Sequence, residues 1–201
     1  MPNPTSRRPA GFTLVELLVV IAIIAVLASA GFGVGLGAIQ RAKRATCLAT
    51  CTALETAVNN FYTEYGYMPT DATEDTTVTT KSSDTKGVEL LTILLGLEPA
   101  TSATIKNPRS VKFLTVNEGK TNKNGLIYSP DGKTVKGLYD PWGGPYNVMM
   151  DCDYNETITP TLSAVVVIPQ QLNGRRVAVW SNGADGVNGG GKSLDDVKTW
   201  K

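Results

Sequence analysis

From Phe12 to Ile39 the chain carries a single ionisable side chain, Glu16, in an otherwise apolar run. A bilayer's hydrocarbon is crossed by about 20 apolar residues rising 1.5 Å each as a helix. This run is therefore long enough to span one, and it holds nearly all the dense apolar sequence of the 201 residues. The remainder must form its own polar-faced fold, one ordinary domain in size. That remainder is rich in turn formers, since the chain has 20 Gly and 11 Pro, so turns and irregular loops should be plentiful.

Composition removes whole classes of chemistry. The chain has no histidine, which excludes Ser-His-Asp and Cys-His nucleophiles, HExxH zinc sites and CxxCH haem attachment. With 19 basic and 18 acidic residues there is no electrostatic footprint for nucleic acid, and no nucleic-acid partner is expected.

Three readings of the N-terminus compete. A secretory signal peptide needs a small-residue cleavage site, which Ala28-Ser29-Ala30 could supply. Arg7-Arg8 suggests a twin-arginine signal, but the run is very apolar and Pro9-Ala10 intervene. The third is a permanent anchor behind a short removable leader. Basic residues flank the run on both sides, Arg7 and Arg8 before it and Arg41, Lys43 and Arg44 after it. The positive-inside rule therefore does not orient it.

Gly11-Phe12-Thr13-Leu14-Val15-Glu16-Leu17-Leu18-Val19-Val20 resembles the prepilin motif of type IV pilins and type II secretion pseudopilins. The resemblance implies an α+β, pilin-like fold. In it, a long N-terminal helix, membrane-spanning in its first half, packs on a small antiparallel β-sheet head. A leader of residues 1–11 would be cut between Gly11 and Phe12 by a prepilin peptidase that also N-methylates Phe12. A transmembrane or filament-core helix follows over 12–40, its amphipathic continuation over 41–66, and a periplasmic head over 67–201. The motif also orients the chain, with the head outside the cytoplasm.

Glu16 stands out without any resemblance, because a carboxylate at membrane depth is costly and needs a partner or a function. It is either a protonated side chain tolerated near the membrane surface or an assembly residue. In the second case a neighbour's Glu16 pairs with the new amine at Phe12, in a low dielectric where attraction is large, and sets the register of a filament.

Past the apolar run, Cys47, Cys51, Leu54, Val58, Phe61 and Tyr65 step by four and three onto one helical face. Gly66 fits the position after a helix end, and Pro69 blocks continuation. One helix from Phe12 to about Tyr65 is the expectation. Gly31, Gly33, Gly35 and Gly37 are its weakest stretch, each costing roughly 0.5–1 kcal/mol against alanine. They serve either close packing between helices or local unwinding in a filament.

In the head, Tyr65-Gly66-Tyr67-Met68-Pro69-Thr70 and Lys86-Gly87-Val88-Glu89-Leu90-Leu91 resemble major-pseudopilin segments. Asp71 to Thr85 reads as an exposed loop and residues 99–124 as a polar insertion. Strands are expected at Gly125–Tyr128, Tyr146–Met150, Ala164–Ile168 and Arg176–Ser181. They should pair antiparallel, because no connection is long enough for a helical crossover. Asp140-Pro141-Trp142-Gly143-Gly144-Pro145-Tyr146 resembles a stretch of the same pseudopilin and reads as a rigid turn, with Trp142 over the core. Of the three cysteines, Cys47 and Cys51 are poorly placed to bridge each other. Either pairs with Cys152 in an oxidising compartment, or all three are buried thiols.

The tail holds two competing motifs. Gly186 to Ser193 satisfies GxxxxGK[ST], but a phosphate loop must open a helix in a parallel α/β unit, and only eight residues follow Ser193. No nucleotide is expected. Ser181-Asn182-Gly183-Ala184-Asp185-Gly186, then Ser193-Leu194-Asp195-Asp196-Val197 and Trp200, resemble the pseudopilin calcium loop. Calcium takes about six to eight oxygens from carboxylates and carbonyls. The resemblance implies side-chain oxygens from Asp185 and Asp195, carbonyls from Asn182 and Val187, and a contribution from Ser193, with Asp196 facing solvent.

The function implied is structural: a subunit of a periplasmic pseudopilus driving type II secretion, not an enzyme. It is anchored in the inner membrane before it assembles. Its partners would be further copies of itself, the prepilin peptidase, an inner-membrane assembly platform, minor pseudopilins and membrane lipid. The alternatives are a type IV pilus subunit serving adhesion, motility or DNA uptake, and an anchored periplasmic binding module that never polymerises.

Overall fold

The structure is a computed structural model that describes residues 12–102, 104–162, 170–189 and 195–200, with the side chains of 30–36 outside the described set. It is α+β, in the order α1 (Leu14–Tyr65), β1 (Thr76–Thr79), α2 (Thr85–Leu94), β2 (Gly125–Tyr128), β3 (Val135–Tyr139), β4 (Tyr146–Met150), β5 (Thr157–Ile158), β6 (Leu172–Asn173), β7 (Val177–Ser181) and β8 (Val197–Lys198). The chain forms two compact units, Met1–Ala42 and Lys43–Lys201.

In the first unit, helix α1 is continuous through the glycine-rich stretch. Every side chain from 12 to 29 is exposed, and these are apolar around the whole circumference apart from Thr13, Glu16 and Ser29. A helix apolar all round is one that becomes buried elsewhere. Among the described residues no helix is long and apolar enough to cross a membrane.

In the second unit, the expected face of α1 is the buried one: Cys47, Cys51, Leu54, Val58 and Phe61 have no exposed surface. Gly66 ends the helix with φ 79°, and its N–H donates to Tyr62 O at 2.8 Å, the left-handed stop that glycine adopts without strain. The main sheet runs β1-β4-β7-β8, with hairpins β2-β3 and β5-β6, and every pairing of these strands is antiparallel. Its central strands are buried on both faces, which explains why they are apolar but for Asn147 and Ser181. Val148, Met150, Val177 and Val179 join the core shared with Cys51, Leu54 and α2, while Met149, Ala178 and Trp180 pack with Ile158 and Trp200.

One expectation falls here. Asp71 to Thr85 is not an exposed loop, because Thr76–Thr79 forms the edge strand β1 on β4 and buries Val78. Thr80 is also wholly buried: its hydroxyl donates to Leu138 O at 2.6 Å and accepts from Tyr146 N at 2.9 Å. Asp84 then caps α2 by accepting from Gly87 N, and its other oxygen takes Thr79 N and Oγ1 at 2.8 Å each. A run of threonines and aspartates has no apolar alternation to announce a strand; tertiary hydrogen bonds satisfy it instead. The segment 99–124 forms no helix or strand among its described residues, yet Leu114 and Asn107 are buried, and Asn107 Nδ2 donates to Ile93 O and Val111 O.

The strands at Gly125–Tyr128 and Tyr146–Met150 stand at their expected bounds, and that at Arg176–Ser181 starts one residue later. Ala164–Ile168 lies outside the described residues. The three cysteines are free thiols, so the Cys152 bridge is not formed. The reason is placement: Tyr146, which stands beside Cys47, begins β4, while Cys152 lies past its other end.

Candidate functional site

At the N-terminus, Gly11 lies outside the described residues, and Phe12 and Glu16 are exposed. Thr13 and Glu16 form a reciprocal cap on α1. Thr13 N and Oγ1 donate to Glu16 Oε2 at 2.9 and 2.8 Å, and Glu16 N donates back to Thr13 Oγ1 at 3.3 Å. This is the capping box of Thr followed three residues later by Glu, a signal readable in the sequence from the spacing of Thr13 and Glu16. Glu16 thus has a structural task within its own chain.

The C-terminal loop is built on the end of β7. Ser181 Oγ accepts from Gly183 N at 3.1 Å, and Gly183 adopts φ 68°. A Cβ there would collide with Asp195 O, so this glycine lets the two ends of the loop touch. Asp195 Oδ2 accepts from Ala184 N and Asp185 N at 2.9 and 3.0 Å, and Asp185 Oδ1 accepts from Val187 N at 2.9 Å. Asn182 Oδ1 is taken by Asn147 Nδ2 at 3.0 Å. Ser193 lies outside the described residues, as does Lys192 of the phosphate-loop motif.

Asp196 corrects its expectation. It is half-buried rather than solvent-facing: Oδ2 accepts from Gly189 N at 3.0 Å, and Oδ1 is buried with no partner. Asp195 Oδ1 is likewise buried and unpartnered. Burial, together with the charges of Asp195 and Asp185, pushes the Asp196 carboxyl above its usual range. Two carboxylates adjacent in sequence, each with a buried, unmatched oxygen, are donors of the kind a hard cation takes, and these residues could hold calcium.

Sequence reasoning missed a second acidic group. Carboxylate oxygens of Asp75, Asp151 and Asp153 all lie within 4.8 Å of one another, the one such trio among the described residues; Asp185, Asp195 and Asp196 do not converge that closely. The register Thr76↔Met150 creates the cluster by setting Asp75 beside Asp151 just past the paired strands. Asp151 is wholly buried, and its oxygens accept from Asn155 N and Glu156 N. Desolvation, then the neighbouring carboxylates, raise the Asp75 and Asp151 carboxyls. The alternation of oxygen-bearing residues at 151, 153 and 155 was the legible half of it; the contribution of Asp75 was not.

Among the thiols, the Cys51 S–H beside Cys47 lowers the Cys47 thiol from its usual value, and Cys51 moves up. Burial raises Cys152 to about 11. None is a thiolate poised for chemistry at neutral pH in an accessible place.

Comparison with known proteins bears on the N-terminus. The family model for the prokaryotic N-terminal methylation motif matches residues 6–32. No curated protein and no solved structure gives a significant match to this chain. The matched motif is of the prokaryotic prepilin type, the kind type IV pilin-like proteins carry at their N-terminus.

Proposed function

We propose that this chain is a structural subunit of a periplasmic pseudopilus driving type II secretion. The observation that carries the reading is the methylation motif at residues 6–32 opening a helix whose described side chains 12–29 are all exposed. A surface of that kind is stable only against lipid or against copies of itself. The chain is held in the inner membrane by residues 12–40 with its head in the periplasm. Prepilin peptidase cuts between Gly11 and Phe12 and methylates Phe12, and the subunit then enters the filament on an assembly platform, alongside minor pseudopilins. Glu16 keeps its cap and, in the filament, faces a neighbour's N-terminal amine.

Calcium belongs to the same reading. Asp185, Asp195 and Asp196 would supply side-chain oxygens, with Asn182, Val187 and Ser193 completing the shell, and the ion would neutralise the crowded carboxylates. The orphaned oxygens of Asp195 and Asp196 support it, and together with the Asp140–Tyr146 turn they favour secretion over a type IV pilus.

The test is processing. A bulky residue replacing Gly11 should block leader removal, since the peptidase must close around a small side chain. Normal electrophoretic mobility of mature protein in that variant overturns the proposal.

A further inference from the structure

Residues 196–199 carry one of the orphaned carboxylates and continue from the other, and they are fastened to one face of α1. Arg44 Nη2 donates to Asp196 O at 3.1 Å. One face-step on, the Cys51 thiol donates to Val197 O at 3.9 Å inside the core. Glu55 pairs with Arg175 at 3.3 Å, and both terminal nitrogens of Arg175 donate to Thr199 O at 3.3 Å. Positions 44, 51 and 55 are spaced by seven and four, which places them on the same side of the helix. The opposite side of the segment pairs with β7 through Ser181↔Val197 and Trp180↔Lys198. Its end is anchored by Trp200, which packs edge-on against Trp180 with centroids 5.7 Å apart and donates to Gln170 at 2.8 Å.

The other half of the loop is unlike it. Residues 184–187 are exposed, and Asp185 is tied to Asp195 only by its own N–H. One carboxylate-bearing half is thus held between helix and sheet, and the other stands exposed beside it, joined to it by the Ala184 and Asp185 amides on Asp195 Oδ2. Affinity for an ion at such a site depends on how much ordering remains to be done when it binds, and residues that orient ligands without touching the metal set that cost.

We infer that Arg44 and Glu55, the latter through Arg175, are positioning residues that set the cation affinity of the loop by holding residues 196–199 on α1. The inference rests on the calcium reading above. By thermodynamic reciprocity, a bound ion tightens the docking of the C-terminal segment on the helix to the same degree. The ion then acts on α1 through Arg44 and Glu55.

The experiment is a calcium titration of the full chain in detergent micelles, read by Trp180 and Trp200 fluorescence. Heat melting in chelator checks that each variant is folded. Arg44→Gln with Glu55→Gln should weaken calcium binding about tenfold at unchanged stoichiometry, and Arg44→Lys should keep most of the affinity. Asp195→Ala should abolish binding. Calcium affinity in the folded double variant equal to that of the unaltered chain, with Asp195→Ala dead, overturns this inference alone. No calcium binding by the unaltered chain overturns the cation site and the inference together.

Discussion

Ser181 Oγ donates to Asp140 Oδ2 at 2.5 Å, and both side chains are wholly buried. The other oxygen of Asp140 accepts from the N–H groups of Trp142, Gly143 and Gly144 at 2.9, 2.7 and 2.8 Å. One carboxylate therefore closes the Asp140–Tyr146 turn and pins it to the strand end from which the C-terminal loop departs. Trp142 lies partly buried against the core, as expected of that turn.

Asp140→Ala removes an acceptor shared by four donors and leaves three of them, Ser181 Oγ and the Trp142 and Gly144 amides, without it, while Gly143 N keeps Asp140 O at 3.1 Å. It should cost roughly 3 kcal/mol or more, since hydrogen bonds to a charged group are worth about 1.5–3 kcal/mol and orphaned buried donors add to the loss. Ser181→Ala should cost about 1–2 kcal/mol, because the three amides keep their acceptor. Denaturant melts of the two variants give the order; equal losses contradict it.

Glu16 has two tasks that one pair of variants separates. Glu16→Ala removes cap and charge, whereas Glu16→Gln keeps an N3 residue able to cap and loses only the charge. Both should remain in the membrane and be cleaved, and both should give little sheared filament. Normal filament yield from Glu16→Gln would assign the residue to capping alone and end the register-setting role.

Calcium should raise the melting temperature of the chain relative to chelator. A site free of competing binding to the unfolded state gains about 2.7 kcal/mol at roughly a hundredfold excess over Kd. Magnesium should do much less, because it demands a smaller octahedral shell. Asp185→Ala and Asp195→Ala should each remove the increment, and Lys192→Ala should not. Nucleotide binding lost with Lys192→Ala would instead revive the phosphate loop.

The acidic trio predicts a pH signature. The folded state raises the Asp75 and Asp151 carboxyls above the ordinary value of 3.8. Their favourable contribution is therefore complete below that value and is lost as pH rises through the folded value. Asp153→Asn takes one like charge from the group. In chelator it should raise the melting temperature by roughly 2 °C at pH 7, with the gain shrinking to nothing below pH of about 4. An equal gain at both pH values excludes charge repulsion as its cause.

What the sequence determined by itself was local or periodic. The leader motif, the apolar run, the buried stripe from Cys47 to Phe61 and the stop at Gly66 each follow from spacing along one helix. The strands Tyr146–Met150 and Val177–Ser181, the second expected from Arg176, could be read because burial on both faces makes them mostly apolar. The tertiary structure decided everything that depends on partners remote in sequence. Thr76–Thr79 becomes a strand because β4 presents an unpaired edge to it. Asp75 meets Asp151 only through that register, Asp140 meets Ser181 only across the core, and Asp196 is half-buried because α1 holds its carbonyl. Polar residues leave no periodic trace of their burial, since what offsets it is a hydrogen bond to a group remote in sequence.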